Sequence, residues 1–315
     1  MSAGGLGFGL NASPLGGSSP GARAIADLFT TTLAVCAVIF VVVCVLIAAC
    51  VVKFRERDDR APSTITGHTK LEIAWTIGPF LVLVFLLVLT ARAMAVSDPP
   101  PTRDPDLVIV AHQWWWEVRY KSGAVTANEI HIPTGTPLVV SVESADVVHD
   151  FWVPDLARKM DAIPGRPASI WLEADQAGSY LGTCAEFCGA EHAWMRILVV
   201  AEPPAAFAAW EKHQLEPAPT PKGGAAERGL AVFRDRTCVR CHGIAGSDAG
   251  AHVAPDLTHL ASRTTLGSGV MPNGEAELAR WIRHPSAFKP ESHMPDVDLT
   301  DAELSDLVAY FESLR

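Results

Sequence analysis

Two stretches of this chain carry almost no charge, and they constrain what it can fold into more than anything else does. Leu28 to Val52 has no charged residue, and Ile73 to Val96 has one, Arg92, near its end. As a helix, each is long enough to cross a hydrocarbon core about 30 Å thick. Runs this long are a poor match to a core helix of a soluble protein. Residues 28–97 are therefore expected to form a two-helix transmembrane hairpin.

The charges around the two runs set its direction. The segment between them holds Lys53, Arg55, Arg57, Arg60 and Lys70, whereas the flank up to Asp27 offers only Arg23. By the positive-inside rule the connecting loop is cytoplasmic and both termini face outward. For a bacterium this implies a multi-pass plasma-membrane protein whose later domains lie in the periplasm or on the outer face. Residues 1–27 form an N-terminal outer segment, rich in Gly, Ser and Ala at its start. No basic cluster precedes the first apolar run, so a cleaved signal peptide is not expected. Cys50 ends a tetrapeptide loosely like a lipid-attachment box. It sits at the inner end of the helix beside Lys53, and is read as a buried membrane residue.

The formal net charge of −10 falls mostly after residue 97. That outer body has no basic stripe, which excludes nucleic acid as a partner. A basic protein partner, or solubility alone, suits it better. Short β-rich runs follow at Leu107–Val110, Pro137–Val142, Ala168–Leu172 and Arg196–Val200, punctuated by Pro133-Thr134-Gly135 and Pro164-Gly165. The spacing predicts a β-sandwich or barrel over 98–202. Residues 203–224 read as a short helix, Ala205–Lys212, and a stiff Pro-rich linker. From 225 to 315 the pattern is helical. There Thr300-x-x-Glu303 makes a capping box ahead of Leu304, Leu307, Val308 and Phe311 on one face.

The seven cysteines divide by position. Cys36, Cys44 and Cys50 lie in the first apolar run and are expected to be inert. Cys184/Cys188 and Cys238/Cys241 are close pairs with a histidine nearby, which points to metal or cofactor chemistry rather than a disulfide framework. Cys188, His192 and Met195 supply a thiolate, an imidazole and a thioether on one tight loop. With His149 from an earlier strand they make the set of a mononuclear copper site with a weak axial Met. Cys184 adds a second thiolate on the same loop, and two thiolates there are able to bridge a pair of metals. Sharing two sulfurs spreads the odd electron over both coppers, so little geometry changes on reduction. Structural zinc would not need Met195; a Cys184–Cys188 disulfide is the other alternative.

The string Cys184-Ala-Glu186-Phe-Cys188-Gly-Ala-Glu-His192-Ala-Trp-Met195 resembles the binuclear copper (CuA) domain of subunit II of haem-copper cytochrome c oxidases. The resemblance implies a cupredoxin-like Greek-key fold. It implies one copper on His149 and Met195, and another on His192 and the backbone carbonyl of Glu186. Cys184 and Cys188 would bridge them, and the Glu186 side chain would reach a magnesium shared with subunit I. Gln113-Trp114-Trp115-Trp116 resembles the family's aromatic stretch. By that likeness Trp114 is an exposed residue where electrons arrive from cytochrome c, while Trp115 and Trp116 are packing residues. Asp161-Ala162-Ile163-Pro164-Gly165-Arg166 matches another family segment. Glu72-x-x-Trp75-Thr76-x-x-Pro79 matches the start of the family's second helix, where the Glu marks the mouth of a proton path into subunit I; an interfacial, solvated carboxylate is the alternative.

Cys238-Val-Arg-Cys241-His242 reads as a c-type haem attachment site. Two thiols add to the porphyrin vinyl groups and the adjacent His reaches the iron. A thioredoxin-type pair is the alternative, against which His242 argues. Gly229 and Phe233 resemble the first helix of small, all-α class I cytochromes c. A Met sixth ligand is expected. Met271 and Met294 are candidates, and the stretch from Trp281 to Pro295 resembles the ligand loop of cytochrome domains fused to subunit II. That likeness favours Met294, with Met271 packed beside the haem. His252, His259, His284 and His293 are then ordinary surface or supporting residues.

The resemblance thus implies a subunit II with a tethered donor. Electrons would pass from an external cytochrome c or another donor to haem c, to two coppers, and to subunit I for oxygen reduction and proton pumping. Subunit III is a further expected partner. A tether would hold the donor at an effective concentration of about millimolar. The oxygen-reducing site would not be on this chain. Rival readings are a copper-containing nitric oxide reductase subunit and a redox or copper-delivery membrane protein that works alone. A quinol-oxidase subunit is disfavoured because the copper ligands are intact.

Overall fold

The computed structural model describes residues 15–55, 67–98 and 104–315. Arg57, Arg60 and the Pro99-Pro100-Pro101 run lie outside the described residues, as does the start of the N-terminal segment.

Helix α1 spans Pro20–Lys53 and α2 spans Thr69–Ser97. At about 1.5 Å per residue both exceed the hydrocarbon thickness, and no residue of their apolar windows is buried. Ser19 caps α1, its hydroxyl accepting from the Ala22 amide at 3.0 Å and donating to the Leu156 carbonyl at 2.7 Å. Arg23 pairs with Asp175, and Arg158 with Asp98 at 2.6 Å. The start of α1 and the end of α2 therefore meet the same face of the β domain. That is the arrangement the positive-inside rule demands, with both outer helix ends beside the outer body.

The β domain has two five-stranded sheets. One runs β3 (Val125–Ala127), β2 (Trp115–Tyr120), β1 (Leu107–His112), β5 (Leu138–Ser144), β8 (Ala168–Leu172). The other runs β4 (Glu129–Pro133), β10 (Arg196–Glu202), β9 (Gly178–Cys184), β6 (His149–Trp152), β7 (Met160–Ala162). Alternating apolar residues bury Ile109, Val118, Ile130, Phe151, Ile170 and Val199 between the sheets. β9 and β10 pair antiparallel with Thr183 opposite Arg196, and β6 joins β9 with Phe151 opposite Cys184. The loop 184–195 and the start of β6 thus share one end of the sandwich.

Helix α3 (Pro204–Gln214) follows, with Trp210 stacked on His131 at 4.2 Å. The linker after it is not free chain. The Ala218 amide donates to the Ala245 carbonyl at 2.9 Å. The His259 ring nitrogens lie 3.1 Å from the Glu216 carbonyl and 3.0 Å from the Arg315 carbonyl. His259 is buried, which corrects its reading as an ordinary residue: it ties the linker to the end of the chain.

The last unit is mainly helical, with α4 (Gly224–Asp235), α5 (Glu275–Arg283) and α6 (Asp301–Glu312), and one small antiparallel ribbon of Thr265–Leu266 with Met271–Pro272. The Thr300–Glu303 capping box forms in full. Phe233, Leu307, Val308 and Phe311 make the core where α4 crosses α6.

Candidate copper and haem sites and the seam between them

Six donor atoms expected for copper converge at the open end of the sandwich. The Cys184 and Cys188 sulfurs lie 3.8 Å apart, far beyond the roughly 2.05 Å of a disulfide. His149 Nδ1 lies 3.9 Å from the Cys184 sulfur, and the Glu186 carbonyl oxygen 3.2 Å from it. His192 Nδ1 is 3.6 Å, and the Met195 sulfur 3.9 Å, from the Cys188 sulfur. His149, Cys184, Cys188 and Met195 are all buried. The Glu186 side chain is exposed, so its carbonyl and its carboxylate face different surroundings. Two thiols, two imidazoles, a thioether and a carbonyl in one dry cluster fit a soft metal centre.

The cluster is electrically prepared. The contact between the two sulfurs holds Cys184 well below the usual thiol range and pushes Cys188 up. Burial opposes charge on His149, but its contacts with Cys184 and Asp146 outweigh this and raise its pKa. Asp146 Oδ1 sits 2.8 Å from His149 Nε2. That contact turns Nδ1 toward the sulfurs, the usual arrangement behind a metal-bound His.

A cavity of about 410 Å³ marks the haem site. Cys238, Cys241, His242 and Met294 all line it. His242 Nδ1 lies 2.8 Å from the Pro255 carbonyl, which leaves Nε2 for iron, and burial lowers its pKa. Cys238 and Cys241 form no disulfide. Leu278, Ile282 and Phe311 give the wall its apolar character. The donors and the slot fit a covalent haem. Met271 is buried in the same helical core but is not on the cavity wall, which corrects its placement beside the haem.

The copper domain supplies part of that wall. Trp114 and Trp115 line the haem cavity. Trp114 was expected to be exposed, yet only 9% of it is accessible. The reason is the loop around residues 289–293, which lies over it. The His293 ring is 5.2 Å from the Trp114 ring, and Lys289 Nζ donates to the Trp114 carbonyl at 3.0 Å. On its other side the Trp114 indole donates to the Cys188 carbonyl at 3.0 Å, and Gln113 Nε2 donates to the same oxygen at 2.8 Å. Trp116 is a packing residue, edge-on to Phe151; Trp115 stacks on His112 at 4.3 Å as it lines the cavity.

The seam uses residues that sequence reasoning missed. The Glu291 amide donates to Glu191 Oε1 at 3.0 Å. Both the Thr264 amide and hydroxyl donate to Glu129 Oε2, at 2.9 and 2.8 Å. The Ser268 hydroxyl donates to Asn128 Oδ1 at 3.0 Å. Burial pushes the Lys289 ammonium down to about 8, against the pull of Glu191. Nothing in the spacing of these residues signals that they meet.

Glu72 lies far from both sites, in the first turn of α2. Its carboxylate accepts from the His68 amide at 3.1 Å, which caps the helix.

Taken together, these features define a membrane-anchored electron-transfer protein with a copper-binding cupredoxin-like domain and a c-type cytochrome domain. Comparison with known families agrees in all three parts. The profile for "Cytochrome C oxidase subunit II, transmembrane domain" matches residues 8–91, that for "Cytochrome C oxidase subunit II, periplasmic domain" residues 124–202, and that for "Cytochrome c" residues 226–315. The chain is 32% identical to cytochrome c oxidase subunit 2 of Alkalihalophilus pseudofirmus, over 97% of this chain and 91% of that one. It is also 32% identical to the corresponding subunit of Bacillus sp. PS3, over 83% and 80%. A crystal structure of the periplasmic domain of subunit II from Bradyrhizobium japonicum is 30% identical, covering 36% of this chain and 95% of that one, with a TM-score of 0.35. The chain belongs to the cytochrome c oxidase subunit II family of haem-copper oxidases, with a cytochrome c domain fused at its C-terminal side. It is a multi-pass protein of the bacterial plasma membrane whose copper domain is periplasmic.

Proposed function

We propose that this chain is the subunit through which electrons reach a proton-pumping cytochrome c oxidase. In this reading 28–97 anchors the chain, 98–202 carries copper, and 225–315 carries haem. Cys238 and Cys241 would hold haem c covalently, and His242 and Met294 would be the side chains offered to its iron. Cys184, Cys188, His149, Met195, His192 and the Glu186 carbonyl would hold the copper, with the two thiolates able to serve a pair of metals. The haem and the copper pair supply one-electron chemistry, passing electrons from an external cytochrome c or another donor onward to subunit I for oxygen reduction.

The protein's contribution is position. One observation supports the route most directly: Trp114 forms a wall of the haem cavity and hydrogen-bonds the backbone of Cys188. It is therefore the proposed point at which electrons pass to copper. Asp146 orients His149. Exposed Phe187 within the copper loop, and Val147 and Val148 just before His149, suit an apolar partner surface, for which subunit I is the candidate. The exposed Glu186 carboxylate would serve a magnesium shared there, and Glu72 would stand at the mouth of a proton path. Subunit III is the remaining proposed partner.

Metal and haem analysis of the purified protein, with an electron spin resonance spectrum, tests this. Two coppers sharing one unpaired electron plus one covalent haem are expected. A single copper refutes the binuclear centre. Rapid reduction of the haem then tests the order: copper reduction should follow, and copper that stays oxidised while oxygen reoxidises the haem refutes it.

A further inference from the structure

The haem-ligand loop and the copper-ligand loop are fastened to each other by buried polar groups. Lys289 is 4% exposed and Glu191 is 2% exposed. Lys289 lies just before the segment that carries Met294; Glu191 lies next to His192. Each reaches across the seam to backbone on the other side. Lys289 donates to the Trp114 carbonyl, and Glu191 accepts from the Glu291 amide. Among the described residues no carboxylate lies within ion-pair distance of Lys289, and Glu191 Oε2 has no hydrogen-bond partner.

Such groups are costly to bury. A domain that merely collided with its neighbour at the end of a tether would keep them in water. Their burial against specific backbone atoms marks a fitted contact. The Glu129–Thr264 and Asn128–Ser268 bonds add a second set of fixings across the same seam. The linker is itself bound down through Ala218 and His259. High effective concentration from a tether is therefore not the arrangement seen.

We infer that Lys289 and Glu191 are positioning residues that lock the haem-ligand loop onto the copper-ligand loop in one standing pose, which serves haem-to-copper transfer and closes Trp114 to an external donor. The inference rests on the proposed haem-to-copper order. Electron tunnelling weakens steeply with distance, so a locked pose keeps the rate free of domain motion. An external donor then has to deliver to the haem, because residues 289–293 occupy the ground above Trp114.

The test uses the complete holoprotein. Haem is reduced by a light pulse, and copper reduction is followed in wild type, Lys289→Ala and Glu191→Ala. In wild type the transfer should be independent of solvent viscosity. In each variant it should slow at least tenfold and become viscosity-dependent, as the loops must find each other again. The Met–iron absorption band and the copper spin spectrum should stay as in wild type. Reduced soluble cytochrome c, added in a second arm, should reduce haem before copper in wild type, and that lag should vanish in the variants. Unchanged rates and an unchanged lag overturn the inference. So does slowing that comes with a lost Met–iron band or an altered copper spectrum, since the residues would then only hold their own loops together. Failure of the underlying order looks different: no copper reduction follows haem reduction even in wild type.

Discussion

The indole Nε1 of Trp114 donates to the Cys188 carbonyl at 3.0 Å, so one side chain joins the cavity of the cytochrome domain to the backbone of a cysteine proposed to bind copper. Trp114→Phe keeps an aromatic ring on the wall but removes this donor and part of the indole's packing against Gly189 and His293. Gln113 still donates to the same carbonyl, so the loop keeps its shape. The expected stability cost is about 1 kcal/mol, with haem-to-copper transfer slowed severalfold and both optical spectra retained. Pulse reduction of the haem measures it. An unchanged rate would remove Trp114 from the path.

Chemistry that is local in the chain was legible in the sequence. Cys184 to Met195 packs five of the six proposed copper donors into one loop, and Cys238 to His242 packs three proposed haem-binding groups into one turn. The membrane runs were equally plain, because a lipid core tolerates little else. The seam was not legible. Lys289 beside Pro290 has the look of a solvated loop charge, and Glu291 and Glu191 are 100 positions apart. Trp114 was misjudged for the same reason: its exposure depends on a loop from another domain. His259 has the appearance of a surface residue until the linker and the chain end close over it.

Asp146 is expected to tune metal binding without touching the metal. It accepts from the Gln113 and Val147 amides and holds His149 by Nε2. Loss of a partner behind a metal-bound His typically costs about 10- to 100-fold in affinity. Asp146→Ala should weaken copper binding by at least about tenfold in a competition titration, with covalent haem content unchanged. Equal affinity would leave Asp146 a purely structural loop residue.

Met294 and Met271 make opposite predictions. Met294→Ala should retain the covalent haem, because Cys238 and Cys241 are untouched, but lose the Met–iron band and lower the haem potential. Met271 lies in the core off the cavity wall. Met271→Leu conserves volume and should cost less than about 1.5 kcal/mol with the Met–iron band intact. A band lost in Met271→Leu instead would reassign the sixth ligand.

Glu129 links the seam to pH. Burial raises its pKa, but the hydrogen bonds from His131 and Thr264 outweigh this and hold the carboxyl below its ordinary value. A depressed carboxylate stabilises the folded state fully above its unfolded pKa of about 4.3, and that stabilisation disappears as pH falls through the lower folded value. The stability difference between wild type and Glu129→Gln should thus be largest near neutral pH and shrink below about pH 4. Urea unfolding across that range, read by haem absorbance, checks the sign. A difference that grows on acidification would contradict it.

Gly229 is the residue on which the crossing of α4 and α6 depends. It is buried, and a Cβ there would run into the Asp306 carbonyl and the Tyr310 side chain. Its backbone is not in the left-handed region, so the issue is space alone. Alanine would gain about 1 kcal/mol of helix propensity. The clash is with backbone, which cannot swing aside as a flexible side chain would, and overpacking of this kind costs about 1–3 kcal/mol or more. The clash should prevail, and Gly229→Ala should destabilise the cytochrome domain by about 2 kcal/mol. Denaturation followed at the haem reads this directly, and the copper spin spectrum should persist through the earlier haem transition. Equal or greater stability would mean that the two helices can separate without loss.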